Sequence, residues 1–206
     1  MLYNAGTGVS PEYRGHGITE KMYSFGLPHF RGMGIANIML EVITNNLPAV
    51  KVYKRIGFKE KRTVCCYRGK VQSIETHINY SIKRIKTCDW SELNSFLDFP
   101  PTWQNSIIAS IRNVDNLEMW GIYDGVSLLG YLIYIPDKKR VQLFAVKPGF
   151  RRKGLASALF AHVYSMHKSE LSITNIDTQD IITDSFLGSI GLKEYIRQYE
   201  MYMTIE

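Results

Sequence analysis

The stretch Val146-Lys147-Pro148-Gly149-Phe150-Arg151-Arg152-Lys153-Gly154-Leu155-Ala156 occurs twice in this chain, the other copy reading Val9-Ser10-Pro11-Glu12-Tyr13-Arg14-Gly15-His16-Gly17-Ile18-Thr19. Each copy follows a short β-like run and leads into a helical pattern. Successive backbone N–H groups therefore converge on the start of a helix with an arginine beside them. The unpaired N–H groups of a first helical turn and the positive end of the helix dipole hold an anion without needing a particular side chain, so this is chemistry suited to phosphate. Gly17 and Gly154 lack the Cβ that would keep a ligand away from the backbone.

A second landmark repeats with nearly the same offset. The two arginines stand 137 residues apart, and Ile56-Gly57-Phe58 recurs as Ile190-Gly191-Leu192 after 134. A period of this size corresponds to a domain, whereas solenoid repeats run to about 20–50 residues. The chain reads as two related domains in tandem, with residues 1–76 forming one copy and 77–206 the other.

Composition sets the class. With 206 residues, 45% hydrophobic and 21% charged, the chain is globular, with material for one large or two small cores. No apolar run approaches the ~18 residues of a membrane span, and the N-terminus lacks a basic region followed by an apolar stretch. A cytoplasmic protein with no membrane partner is expected. Cys65, Cys66 and Cys88 are odd in number and show no Cys-x-x-Cys spacing, which argues against a disulfide framework or a zinc site. Cys65 and Cys66 are adjacent in a strand-like run and should pack on opposite faces. His162 and His167 are five apart, not the four that puts two ligands on one helical face, so no metal is expected.

The formal charge of +6 and pI near 9.1 raise the question of nucleic acid, but the basic residues are dispersed and part of the excess lies in the two glycine loops. No nucleic-acid partner is expected. The runs Lys59-Glu60-Lys61-Arg62 and Asp137-Lys138-Lys139-Arg140 read as solvated turns and strand ends.

The second copy supplies a full set of elements. A strand over 80–85 precedes a helix capped by Asp89, with Glu92 three residues on and Trp90, Leu93, Phe96 and Leu97 on one face. Pro100-Pro101 ends it, and Thr102 is placed to cap a further helix over 103–112. Strands over 118–123 and 126–136 flank an Asp124-Gly125 hairpin turn. A strand over 140–146 enters the glycine loop, and the next helix carries Leu155, Leu159, Val163 and Met166 at helical spacing. Strands over 171–176 and 195–205 surround a helix ending near Gly191.

These residues resemble the GCN5-related N-acetyltransferase (GNAT) superfamily, whose pyrophosphate loop reads Arg or Gln, two residues, Gly, one residue, then Gly or Ala. Arg151 to Ala156 fits in full; Arg14 to Ile18 fits, with Thr19 at the last position. The resemblance covers nearly the whole chain and implies an α/β (α+β) fold with a mixed, mostly antiparallel sheet flanked by helices, in two tandem copies. It implies acetyl-coenzyme A as cofactor, gripped at Arg151, Arg152, Lys153, Gly154, Leu155, Ala156 and Ser157, and in the first copy at Val9, Arg14, Gly15, His16, Gly17, Ile18 and Thr19. It also implies that strands 140–146 and 171–176 splay apart, leaving a backbone edge for the pantetheine arm and the N–H of Val146 for the thioester carbonyl.

The first copy starts at a run, 3–9, equivalent to the fourth strand of that fold, so it reads as incomplete. Its open edge is expected to dock on the second domain or on another copy of the chain. Asn46, Ala49, Tyr53 and Gly57-Phe58 nevertheless stand at the family's spacing. The resemblance implies that Tyr53 protonates the departing thiolate; a helix tyrosine covering the core is the other reading. In the second copy Leu187 stands where Tyr53 would be. Asn175 and Asp177 are placed to line the cleft or to cap a turn, and Trp103 to wall the acceptor pocket or to pack in the core. The expected activity is direct acetyl transfer to an amine of a small molecule or peptide. A non-catalytic acyl-coenzyme A-binding module is the alternative, and a nucleic-acid-binding protein a distant third.

Overall fold

The computed structural model describes residues 1–72 and 79–205. The boundary expected between residues 76 and 77 lies outside the described residues. By contacts the chain divides into two compact units, Met1–Val64 with Ile196–Glu206, and Cys65–Tyr195. The sequence repeat and the compact units are thus different divisions. Strand β3 (Lys59–Gly69) gives residues 59–64 to the first unit and 65–69 to the second, and β9 (Lys193–Thr204) gives 196–204 to the first.

In the first unit, β1 (Leu2–Asn4) runs parallel to β2 (Asn37–Ile43), and β9 pairs antiparallel with β2, Glu41 facing Glu200. Helices α1 (Ile18–Gly32) and α2 (Leu47–Ile56) cover one face, where Ile38, Leu40 and Val42 meet Tyr23, Val50, Tyr53, Phe58, Met201 and Met203. This is the period-2 burial expected of a sheet with one dry face. The strand expected over 3–9 stops at Asn4. There the Asn4 side chain accepts the Gly6 N–H at 3.0 Å and donates to Thr7 and Tyr23, turning the chain out of the sheet.

The charged run 59–62 also departs from expectation. Lys59, Glu60 and Lys61 are exposed, but Arg62 lies inward and donates to the buried Glu200 carboxylate through Nε at 2.6 Å and a second nitrogen at 3.3 Å. A buried carboxylate needs such a partner to stay ionised.

In the second unit the strand order is β3, β8 (Leu171–Asp177), β7 (Arg140–Val146), β6 (Ser127–Ile135), β5 (Glu118–Asp124), β4 (Ser81–Arg84). β4 to β7 are antiparallel in sequence order, and β8 is parallel to β7. The run from Leu128 to Ile135 is apolar on both faces because both are covered. Leu132 and Tyr134 face α5 (Leu155–His167) and α6 (Ile181–Ser189), while Tyr131, Ile133 and Ile135 face α3 (Trp90–Ser95).

Asp89 caps α3 by accepting the Ser91 N–H at 2.8 Å. The single helix expected from Thr102 is instead a short 3₁₀ turn, Trp103–Asn105, followed by α4 (Ile107–Arg112). Ser106 is the cap that accepts the Ala109 N–H, whereas the Thr102 hydroxyl makes no capping bond. On α5, Leu155, Leu159 and Val163 are buried, but Met166 is exposed and Ala158 and Phe160 take the core positions.

Two irregularities open the sheet. β6 and β7 slip register between Ile133–Leu143 and Tyr134–Val141, leaving Gln142 as the extra residue of a β-bulge. β7 and β8 pair at Arg140–Ser172 and Val141–Ile173, and no pairing continues beyond. The expected splay begins at the bulge, and β7 from Gln142 to Val146 turns an unpaired edge toward the gap.

Candidate functional site

The two glycine loops fold alike. In the second unit, Arg151 donates from Nε to the Val146 carbonyl at 3.0 Å; in the first, Arg14 donates from Nε to the Val9 carbonyl at 3.0 Å. Each loop carries a pair of left-handed residues with one residue between them, Gly15 and Gly17 at φ 80° and 68° and Arg152 and Gly154 at φ 61° and 77°, and the second loop has a further one at Gly149, φ 85°. Gly17 and Gly154 are the N-caps of α1 and α5, without a side-chain cap, so the first-turn N–H groups of both helices face outward. Alternating left-handed residues make a concave run of N–H groups suited to an anion. Arg152 adopts this conformation without being glycine, a cost of about 1 kcal/mol that is retained at sites where geometry matters.

Each loop opens on its own cleft of about 410 Å³. The second-unit cleft runs from the loop into the gap between β7 and β8. Of the residues singled out in the sequence, Val146, Arg151, Arg152, Gly154, Leu155, Ala156, Ser157, Asn175 and Asp177 line it. Lys153 does not; its ammonium lies 5.0 Å from the Phe150 ring centroid. Trp103 is half-buried away from the cleft, and Asn105 supplies the wall from that segment. The Lys147 N–H donates to Leu129 on β6, so by strand alternation the N–H of Val146 points the other way, into the gap.

Arg151 does not face the cleft as a free cation. Besides Val146, its guanidinium donates to the Asp98 carboxylate and to the Phe96 carbonyl at 2.9 Å. It organises the loop and ties it to the segment after α3. Sequence reasoning missed Asp98 and Gln142, since nothing in their local pattern marks them, and placed the Trp103-Gln104-Asn105 segment at the pocket wall with Trp103, not Asn105, as the lining residue. α3 ends at Ser95, short of the prolines expected to stop it, and Pro100 and Pro101 instead lie in the cleft wall.

In the first unit, Val9, Arg14, Gly15, Gly17, Ile18, Thr19 and Tyr53 line the cleft; His16 folds back with Nδ1 at 2.9 Å from the Arg14 carbonyl. Glu20 lines it too, in the position held by Ser157 in the second unit, and pairs with Arg55 at 2.7 Å. Tyr53 is buried on α2, packed edge-on against Tyr23 and Phe58. Burial pushes the Tyr23 phenol up to about 12, against the hydrogen bond from Asn4.

Glu41, also missed as a site residue, lies on the other face of β2 from the core that holds Tyr53. Burial raises its pKa above the ordinary carboxylate value. A hydrogen bond from Tyr3 and the charge of Arg62 work against this, while the Glu200 carboxylate adds to it. A carboxyl perturbed in this way is a candidate proton acceptor.

In the second unit, Leu187 is fully buried at the position equivalent to Tyr53. Cys66 and Cys65 are both buried and outside any disulfide, and Cys66 donates to Asn175 Oδ1 at 3.6 Å. Among the described residues no cluster of His, Cys, Asp and Glu could hold a metal, and no helix is long and apolar enough to cross a membrane.

Comparison with known proteins places this geometry. Residues 2–58 match the acetyltransferase (GNAT) family and residues 94–182 an acetyltransferase (GNAT) domain. The mycothiol acetyltransferase of Streptomyces bingchenggensis is 43% identical over 61 residues, 30% of this chain and 20% of that protein. That of Corynebacterium glutamicum is 39% identical over 51 residues, 25% of this chain and 18% of that protein. The match thus spans about a fifth of these curated relatives.

Among solved structures, a GCN5-related N-acetyltransferase from Sphaerobacter thermophilus superposes with a TM-score of 0.71 at 13% identity, covering 96% of this chain and 71% of that one. A tandem GNAT protein from the clavulanic acid biosynthesis pathway superposes with a TM-score of 0.70 at 12% identity, covering 97% and 73%. Two glycine loops of one geometry, a bulge-splayed sheet and a family match in each half lead to one assignment: the chain belongs to the GNAT acetyltransferase superfamily, as a tandem member.

Proposed function

We propose that this protein is an acetyl-coenzyme A-dependent N-acetyltransferase acting on a small-molecule amine, with its chemistry in the first unit. The observation that carries this reading is that Tyr53 lines the same cleft as the Arg14 loop. The loop N–H groups from Gly15 to Thr19 would hold the pyrophosphate of acetyl-coenzyme A. The amine nitrogen attacks the thioester carbonyl carbon directly and the C–S bond breaks. Tyr53 gives its proton to the departing thiolate, and the proton shed by the attacking nitrogen passes to Glu41, directly or through water. Acid and base stand on opposite faces of β2, which keeps them from exchanging the proton with each other. Polarisation of the carbonyl falls to backbone N–H groups beside Val9, as beside Val146 in the second unit. The relatives named mycothiol acetyltransferase support a small-molecule acceptor.

A second reading applies to the second unit alone: a cleft that binds an acyl-coenzyme A without transferring it. Leu187 in place of the phenol favours it, and no Tyr, His, Glu, Lys or Cys lines that cleft among the described residues. The test is thiol release from acetyl-coenzyme A with a panel of small amines, comparing wild type with Tyr53→Phe. Loss of about a hundredfold in kcat with KM retained supports the first-unit assignment. Full activity in Tyr53→Phe would move the chemistry out of the first unit.

A further inference from the structure

Three buried amides meet the second-unit cleft where β7 and β8 part. Asn105 and Gln142 are each 3% exposed and Asn175 is 6%. Each stands at a break in regular structure: Gln142 is the bulged residue of β7, Asn175 is left-handed at φ 60° within β8, and Asn105 ends the 3₁₀ turn. Such departures persist where the surroundings require them, and they gather at functional sites. Gln142 donates from Nε2 to the Ser110 hydroxyl at 2.8 Å, Asn105 donates from Nδ2 to the Thr174 carbonyl at 2.5 Å, and Asn175 Oδ1 accepts from Cys66. Asn105 Oδ1 is buried with no partner. An unmatched buried acceptor of this kind calls for a donor from outside the chain.

The reach is right for the end of a cofactor arm. Val146 at the loop lies four residue steps along the strand from Gln142, a span of about 13 Å, and over it the β7 edge facing β8 is unpaired. The carboxylates that line this cleft are engaged elsewhere: Asp98 with Arg151, Asp177 with the Gln179 N–H, Asp180 with the Thr183 N–H. At Asn105 itself the cleft offers an amide dipole with no side-chain carboxylate in hydrogen-bond contact.

We propose that the second-unit cleft selects an acyl-coenzyme A whose acyl group carries an uncharged hydrogen-bond donor, a hydroxyl or carboxamide, that donates to Asn105 Oδ1. This rests on the reading that the Arg151 loop holds the coenzyme A pyrophosphate. A plain alkyl tail leaves Asn105 Oδ1 unpaired, and an ammonium tail is desolvated without a carboxylate to offset it.

The experiment is calorimetric titration of the full chain carrying Gly17→Val, which disables the first-unit loop. The titrants are free coenzyme A, butyryl-, 3-hydroxybutyryl- and 3-aminobutyryl-coenzyme A. The 3-hydroxybutyryl ester should bind about tenfold more tightly than the butyryl ester, with the amino ester weakest. Asn105→Leu should erase the hydroxyl preference, each affinity being taken relative to free coenzyme A in the same variant. Asn105→Asp, which keeps the side-chain shape, should turn the preference toward the amino ester. Equal affinities for the three esters, or a hydroxyl preference that survives Asn105→Leu, overturns the proposal. Absence of binding by free coenzyme A overturns the underlying cofactor reading, a failure distinct from loss of discrimination among esters that do bind.

Discussion

The Nε of Arg151 donates to the carbonyl of Val146 at 3.0 Å, closing the loop back onto the strand that feeds it. The same bond at the same length joins Arg14 to Val9 in the first unit. The arginine of this motif thereby acts first on its own backbone, and what the loop presents to a ligand is the row of N–H groups so arranged. The two copies then differ in what else the guanidinium does. Arg151 spends its remaining donors on Asp98 and Phe96, whereas the Arg14 side chain has the Val9 carbonyl at hand.

That difference predicts unequal effects of removing the two arginines. Arg151→Ala should lower thermal stability and weaken coenzyme A binding at the second site at least tenfold, because it frees both the loop and the segment after α3. Arg14→Ala should weaken binding at the first site with a smaller change in melting temperature. Calorimetry paired with thermal denaturation checks both; equal melting shifts for the two variants contradict the structural role assigned to Arg151.

Gly154→Val should abolish binding in the second unit. Gly154 is left-handed at φ 77°, where a β-branched residue is strongly disfavoured, and the added methyls would stand over the first-turn N–H groups of α5. Affinity unchanged in calorimetry of Gly154→Val would rule out the loop as the pyrophosphate site.

Glu41→Gln should remove a titration from both activity and stability. The Glu41 carboxyl has its pKa raised chiefly by burial. As a base it works deprotonated, so the acid limb of the kcat/KM profile should lie above the ordinary carboxylate range and vanish in the variant, with kcat down about a hundredfold. The sign for stability is opposite. A raised carboxyl pKa gives stability that is fully present below the unfolded value and is lost as pH rises through the folded value. Glu41→Gln cannot ionise, so its melting temperature should fall less than wild type between acid and neutral pH. A wild-type acid limb retained in the variant excludes Glu41 as the base.

Arg62→Ala should destabilise the first unit by about 3 kcal/mol, since it leaves the Glu200 carboxylate, 1% exposed, with the more distant Lys61 ammonium at 3.6 Å. The double variant Arg62→Leu with Glu200→Leu should recover most of that loss, because replacing a buried pair costs far less than breaking it. Urea unfolding measures both; a single-variant loss under 1 kcal/mol shows that water or Lys61 suffices for Glu200.

The sequence by itself determined the repeat, the fold class and the two loops. These are short-range matters: glycine at left-handed positions, a helix beginning at a fixed offset from an arginine, alternation along strands, and Gly57 and Gly191 ending helices at φ 115° and 92°. The same local logic located strand 140–146 to the residue. It erred where a side chain decided a boundary, as Asn4 does for β1 and Ser106 for α4, because several nearby residues could make the competing hydrogen bond.

Only the tertiary structure decided the rest. That residues 196–204 complete the first unit, that Arg62 turns inward to Glu200, and that Asn105, Gln142 and Asn175 converge on one cleft all depend on strands far apart in the chain. A backbone pattern carries information over a helical turn or a strand pair. The partner of a buried charge, and the surroundings of a buried amide, are fixed by which distant segment packs there, and no periodicity in the sequence encodes that choice.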